Sequence, residues 1–292
     1  LVPAVDPEGK VLEADLVVYA TPLYYFTVNA TMKAFIERTL PALEPYLVHQ
    51  NGVTTHPLRH DFPKAVVLSV AGFPEGQVFE QLSSYVNFLF KKGLVAEIYR
   101  PAAEAMTQRY TAEATRDILD ATAQAGRELV ESNKVSAPTL ERITRPIGGG
   151  LDSMAKMANA FWKTCIQEGV TPAEFRKKNL VPRPDSIETF LMIMEAGFNG
   201  ERATGVKGTL QFNFSGEVEG ACCLEIDDGR IEGKEGAASQ PDLTVDTPFE
   251  LWMDIMAGKA DGQQMFMEQQ YKASGDLSLL LRMKDLFGSS KD

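Results

Sequence analysis

Cysteine is nearly absent from this chain. The three present, Cys165, Cys222 and Cys223 in 292 residues, show neither metal-ligand spacing nor an even disulfide framework. Zinc modules and disulfide scaffolds are excluded, and a reducing cytoplasm is the expected location. No apolar run approaches the roughly 20 residues that a membrane-spanning helix needs, so no transmembrane segment is expected, and no signal-peptide pattern opens the sequence. Cations never gather into a stripe. The formal net charge is -11, and the densest basic stretch, "FRKKN" at 175–179, reads as a solvated face. That removes the electrostatic footprint of nucleic-acid binding. Histidine is equally scarce. His56 and His60 in "THPLRHDF" could join Asp61 as metal ligands only on a helix, which Pro57 opposes, so no metal site is expected. The serine-hydrolase elbow, the Walker loop and the His-Glu-x-x-His motif are all missing, and no catalytic side chain is assigned.

What is present is ordinary globular composition, 44% hydrophobic and 24% charged, over a length that suits two domains. Up to about residue 132, continuous apolar runs alternate with helical stretches. "DLVVYA" (15–20), "KAVVLSVAG" (64–72) and "GLVAEIYRPA" (93–102) read as parallel strands covered on both faces. Val78, Leu82, Val86 and Leu89 mark a helix expected to stop at Gly93, and "TAEATRDILDATAQAGRELVESN" marks a surface helix. Residues 133–150, with two prolines and three consecutive glycines, read as a linker or hinge, followed by a helix at "LDSMAKMANAFWKTCIQEG". The period then changes to two. Leu210, Phe212 and Phe214 alternate with polar residues, Cys222, Leu224 and Ile226 follow, Asp228-Gly229 suits a hairpin, and Leu243 and Val245 face inward. Adjacent Cys222 and Cys223 point to opposite faces of their strand and read as packing residues. Thr247, Pro248 and Glu250 read as a capped helix start, with a closing helix at "GDLSLLLRMKDLF".

In open parallel sheets, ligands bind beyond the carboxyl ends of the strands. "TPLYYFTVNA" sits there. The run from Ala14-Asp15 through Thr21-Pro22-Leu23-Tyr24 to Met32-Lys33-Ala34-Phe35-Ile36-Glu37-Arg38 resembles the flavin-loop region of flavodoxin-like NAD(P)H-dependent FMN reductases, in particular the iron-sulfur flavoprotein branch. The resemblance covers roughly residues 10–130. It implies that Thr21, Pro22, Leu23, Tyr24, Tyr25 and Phe26 surround an FMN isoalloxazine, with Ala71, Gly72 and Phe73 of "SVAGFPEG" as a second flavin-side loop. It also implies NAD(P)H as reductant. The family's first strand and phosphate-cradling loop have no counterpart after Leu1. The expectation is an N-terminally truncated domain with an unpaired edge at "DLVVYA" that holds FMN weakly or not at all.

Residues 172–288 resemble the sterol carrier protein family. The similarity lies in the alternating aromatics of "GTLQFNFSG", the Asp-Gly turn, Pro241-Asp242-x-Thr244, Gly258-Lys259 and Gly275-Asp276-Leu277, with Glu268-Gln269-Gln270 as a local departure. It implies a lipid, sterol or fatty-acyl ligand in an apolar tunnel. Met192, Phe212, Phe214, Leu224, Trp252, Met253, Met256, Met265, Phe266 and Met283 are the candidate lining, and flexible thioethers suit a ligand of variable shape. The expected architecture is thus an incomplete α/β flavodoxin-like parallel sheet (1–132), a linker and helix (133–170), and an α+β sterol-carrier-like domain with an antiparallel sheet (171–292), with a homodimer as candidate assembly. Two functions follow. One is a fragment of an FMN-dependent NAD(P)H oxidoreductase fused to a lipid carrier. The other is a non-catalytic lipid or acyl-chain transfer protein whose flavodoxin-like half is inactive.

Overall fold

The structure is a computed structural model that describes residues 7–50, 52–108 and 111–287. It divides into two compact units, Leu1–Leu151 and Asp152–Asp292. The first contains α1 (Pro7–Leu12), β1 (Leu16–Pro22), α2 (Ala30–Glu37), a hairpin of β2 (Val48–Gln50) and β3 (Val53–Thr55), β4 (Lys64–Val70), α3 (Glu80–Phe90), β5 (Leu94–Arg100), α4 (Ala112–Ser132) and α5 (Ala137–Thr144). Strands β1, β4 and β5 form a parallel sheet with β4 in the middle. The continuous apolar run of β4 is explained by burial on both faces. Val67 packs with Tyr19, Phe79, Leu82 and Val86, whereas Val66 packs with Ile98, Ala121, Ala125, Leu129 and Ile143. β1 is an edge strand; among the described residues its free side has no partner, and Val18 there is 52% exposed.

Two expectations fail in this unit. Gly93 is not the cap of α3. The helix ends at Phe90, and Lys91 takes a positive φ (48°) with its N–H donating to the Asn87 carbonyl, because β5 begins only three residues later. The stretch 133–150 also carries a helix. Pro138 lies in the first turn of α5 and Pro146 beyond its end, positions where a missing N–H costs nothing. Ser136 caps α5 by accepting from Thr139 N, and Ile143 is buried. Glu128 of α4 locks this start by accepting from Ser136 N (2.7 Å) and Thr139 Oγ1 (2.7 Å). Those bonds to the charged form depress its pKa to about 2.

The second unit begins with α6 (Leu151–Glu168), α7 (Pro172–Lys177) and α8 (Ile187–Gly197). It continues through β6 (Lys207–Ser215), β7 (Gly220–Asp227), β8 (Arg230–Glu235), β9 (Leu243–Pro248), α9 (Phe249–Met256), α10 (Gly262–Met267), β10 (Lys272–Gly275) and α11 (Leu277–Phe287). The sheet order is β10-β9-β6-β7-β8. It is mixed: β6 and β9 run parallel and every other pair antiparallel. The β7–β8 hairpin turns at Asp228 (φ 47°) and Gly229 (φ 84°), the paired positive φ of a type I′ turn. At Gly275 (φ 99°) a Cβ would lie 2.1 Å from the Asp242 carbonyl oxygen, so glycine is required where β10 closes on β9. Thr247 does not cap α9. It is the buried penultimate residue of β9 and its hydroxyl donates to Pro248 O, while Glu250 accepts from Glu217 N (3.1 Å). In "FRKKN", Phe175 is buried edge-on against Phe161 (4.8 Å) and the cations remain outside. Cys223, on the opposite face from Cys222, is buried as well.

Candidate functional site

At the carboxyl edge of the parallel sheet, Thr21 is buried, its hydroxyl donating to Pro22 O and accepting from Asn29 N (3.2 Å). Asn29 in turn caps α2 through Met32 N (2.8 Å). Between these anchors the backbones of Tyr24 and Thr27 exchange two hydrogen bonds of 3.2 Å, closing a two-residue turn at Tyr25 (φ 47°) and Phe26 (φ 62°). Both aromatics occupy the left-handed region that Asn and Gly favour, each at a cost of about 1–2 kcal/mol. Packing does not offset it at Tyr25, which is 98% exposed; Phe26 is 49% exposed. The neighbouring loop is stitched alongside. Leu23 N donates to Val70 O (2.9 Å), Ala71 N to Arg100 O (3.0 Å) and Ala102 N to Phe73 O (2.8 Å). Ala71 is buried, whereas Gly72 and Phe73 are exposed. The nine edge residues singled out in the sequence therefore gather at one end of the sheet, with Tyr24, Tyr25, Phe26 and Phe73 presenting their rings outward.

The second unit encloses its apolar side chains between the sheet and α8, α9 and α11. Phe212 is fully buried against Phe190 (5.3 Å, edge-on), Phe214 (5.7 Å, stacked) and Trp252 (5.2 Å). Leu224 and Met253 lie in the same core, with Met256, Met265 and Met283 packed against it. Phe266 sits outside the core, touching Tyr271 (5.5 Å), and Met192 is half-buried away from that cluster. Sequence patterning missed Phe190, buried here together with Met194. Its signal was Ser186-x-x-Thr189 before an apolar run, which forms a capping box in the structure. The Trp252 indole N–H is buried and finds no acceptor among the described residues.

Comparison with known proteins decides the family of each unit. A model of the flavodoxin-like fold matches residues 4–128, and one of the SCP-2 sterol transfer family matches residues 194–288. The chain is a flavodoxin-like domain fused to an SCP-2 domain. Similar solved structures include the sec-alkylsulfatase Pisa1 from Pseudomonas sp., 21% identical over 35% of this chain and 16% of that one, with a TM-score of 0.33. Sterol Carrier Protein 2 Like 2 from Aedes aegypti is 17% identical over 34% of this chain and 94% of its own, with a TM-score of 0.29. Sterol Carrier Protein 2 from Yarrowia lipolytica is 15% identical over 34% and 91%, also at 0.29. No curated protein matches.

The flavodoxin-like fold is compatible with a flavin. The four exposed rings at the sheet edge are of the kind that can stack on a planar ring. The phosphate does not find an equivalent fit among the described residues. The N-terminus of α2 is already capped by Asn29, and α3 and α4 carry Glu80 and Glu113 in their first turns, which repel an anion. Arg100, at the end of β5, is buried, and its Nη1 donates to Ile143 O and Arg145 O (2.7 Å each). Burial and the nearby Arg145 lower its pKa. It clamps the end of α5 to the sheet.

In the SCP-2 unit a small pocket opens beside α9. Its walls are the end of α6 (Thr164, Glu168), the loop Leu180–Pro184, Met253, Met256, Ala257 and Lys259, and its void of about 20 Å³ suits one water molecule. Arg183 bridges it to Asp254 (2.8 Å), and Lys259 pairs with Glu168. Among the described residues, no cluster of His, Cys, Asp and Glu is placed to hold a metal. His56 Nδ1 instead donates to the Tyr46 carbonyl (3.0 Å). No helix of the described residues is long and apolar enough to cross a membrane.

Proposed function

We propose that the SCP-2 domain is a carrier that holds a lipid or fatty-acyl ligand between its sheet and its helices. The observation that carries this reading is the Trp252 N–H, a buried donor without an acceptor among the described residues, inside an aromatic and methionine-rich core. An orphaned buried donor costs about 1–3 kcal/mol, a cost that an ester, carboxyl or hydroxyl oxygen of a ligand would remove. Met253, Met256, Met265 and Met283 supply side chains that can re-rotate around an inserted chain, with Phe212, Phe214 and Leu224 as the sheet-side wall. Titration with a fluorescent fatty-acyl probe, displaced by long-chain competitors, tests it. Trp252→Phe keeps the aromatic bulk but removes the donor, and should weaken binding by about five- to tenfold. Absence of saturable uptake at micromolar concentrations refutes the reading.

A second reading concerns the flavodoxin-like domain: Thr21, Pro22, Leu23, Tyr24, Tyr25 and Phe26, with Ala71, Gly72 and Phe73, form a wall for a flavin ring. Backbone strain without compensating packing at Tyr25 favours it, because such strain concentrates where a side chain must be presented. When bound, a flavin would supply electron transfer from NAD(P)H; the chain's own residues would hold and orient the ring. Since no phosphate cradle is among the described residues, riboflavin and FMN should bind within about threefold of each other, measured by quenching of flavin fluorescence. A tenfold preference for FMN, or binding of neither, refutes it.

A further inference from the structure

The pocket beside α9 has an unusual floor. Met253 lines it and is at the same time a buried member of the domain core, and Met256 lines it while packing on that core. Both side chains therefore stand between a solvent-facing pocket and the apolar interior. A methionine side chain is unbranched and has the cross-section of a polymethylene chain, with three torsions about which it can turn. Rotating both aside would leave a bore one alkyl chain wide. The opposite wall, Leu180, Val181, Pro182 and Pro184, is also apolar. It is tethered to α6 by Arg183 N donating to Thr164 Oγ1 (2.7 Å) and to α9 by the Arg183–Asp254 pair. The Lys259–Glu168 pair ties α6 to the end of α9 on the other side.

We infer that this pocket is the mouth through which a single unbranched acyl chain reaches the core, with Met253 and Met256 as the gate and the two ion pairs as a clasp. The inference rests on the carrier reading above and adds to it a route and a ligand class. Seven of the eleven residues that line the mouth, those of α6 and the loop 180–184, lie outside residues 194–288 that match the SCP-2 family. The clasp residues are partly exposed, so each pair is weak and weakened further by salt. The clasp can therefore open thermally, and high ionic strength should speed uptake. A bore of alkyl width admits a hydrocarbon tail and resists a fused ring system.

Stopped-flow uptake of a fluorescent hexadecanoyl probe by the full chain tests the route. Lys259→Glu should raise the uptake and release rates about two- to fivefold, and the double variant with Glu168→Lys, which restores the pair with swapped charges, should return them to the starting values. Val181→Trp, filling the mouth from outside the core, should slow both. Lys207→Glu, which breaks an exposed pair with Asp227 on β7, should leave the rates as they are, and near-UV circular dichroism checks the fold of each variant. A fluorescent sterol should be taken up far more slowly than the acyl probe. Acyl uptake that is intact but indifferent to both Lys259→Glu and Val181→Trp overturns the mouth and leaves the carrier standing. Sterol uptake as fast as that of the acyl probe overturns the alkyl-width bore. Absence of uptake by the unaltered chain overturns both the mouth and the carrier reading.

Discussion

Replacing Tyr25 by asparagine should stabilise the flavodoxin-like domain and weaken its hold on flavin at once. Tyr25 occupies a left-handed position (φ 47°) and is 98% exposed, so the substitution removes strain and almost no packing. Asparagine adopts this region more readily than tyrosine, and the gain expected is about 1 kcal/mol. For a unit of this size that is about 2–4 °C in Tm. Phe26→Gly should be close to neutral, because relief of strain at φ 62° is offset by loss of a half-buried ring. If Tyr25 stacks on the isoalloxazine, its loss removes an aromatic contact of about 0.5–1.5 kcal/mol, a two- to tenfold rise in the Kd for riboflavin. Scanning calorimetry reads the first effect. Both tryptophans, Trp162 and Trp252, lie in the other unit, so their fluorescence identifies which transition has moved. A lower Tm for Tyr25→Asn would refute the strain argument, and a higher Tm with unchanged flavin affinity would refute the stacking role.

Phe212→Ala, which empties a fully buried site among Phe190, Phe214 and Trp252, should cost the SCP-2 domain about 3–5 kcal/mol in urea unfolding followed by tryptophan fluorescence. All three cysteines are buried and free, and burial pushes the Cys222 thiol up to about 12; a thiol-reactive dye should therefore label the native chain far more slowly than the unfolded one. Glu128 has its pKa lowered from 4.5 to about 2 by hydrogen bonds that hold the start of α5. Its contribution to stability is present above 4.5 and is lost as pH falls from there towards 2. Glu128→Gln should lower the Tm of the flavodoxin-like domain at neutral pH and flatten its pH dependence across that window.

Element types were legible wherever the apolar period was strong. The runs of β1, β4 and β5 announced strands covered on both faces, which holds for the central β4 but not for the edge strands β1 and β5, which are only partly buried; the alternation from Leu210 to Phe214 announced the buried apolar face, although Gln211 on the other face is buried too. The start of α5 was not legible, because prolines at helix-tolerant positions and a string of glycines beyond the end look locally like a linker. What makes 137–144 a helix is a contact with α4, through Glu128 and Ile143, that no local pattern records. The end of α3 and the start of α9 were misread for a related reason. Lys91 accepts a positive φ at the helix end and Thr247 stays in its strand because of where the chain must go next.

By itself the sequence determined that the chain has two domains, which segments carry apolar faces, and that aromatics stand at the end of the first strand, since these follow from composition and from the periods of helix and strand. Tertiary structure alone decided that Tyr25 and Phe26 are both left-handed, that Trp252 finds no acceptor among the described residues, and that Met253 faces a pocket and a core at once. Each depends on what lies opposite a side chain in space, and residues such as Arg183 and Asp254, 71 positions apart, meet only when the packing of the whole domain brings them together.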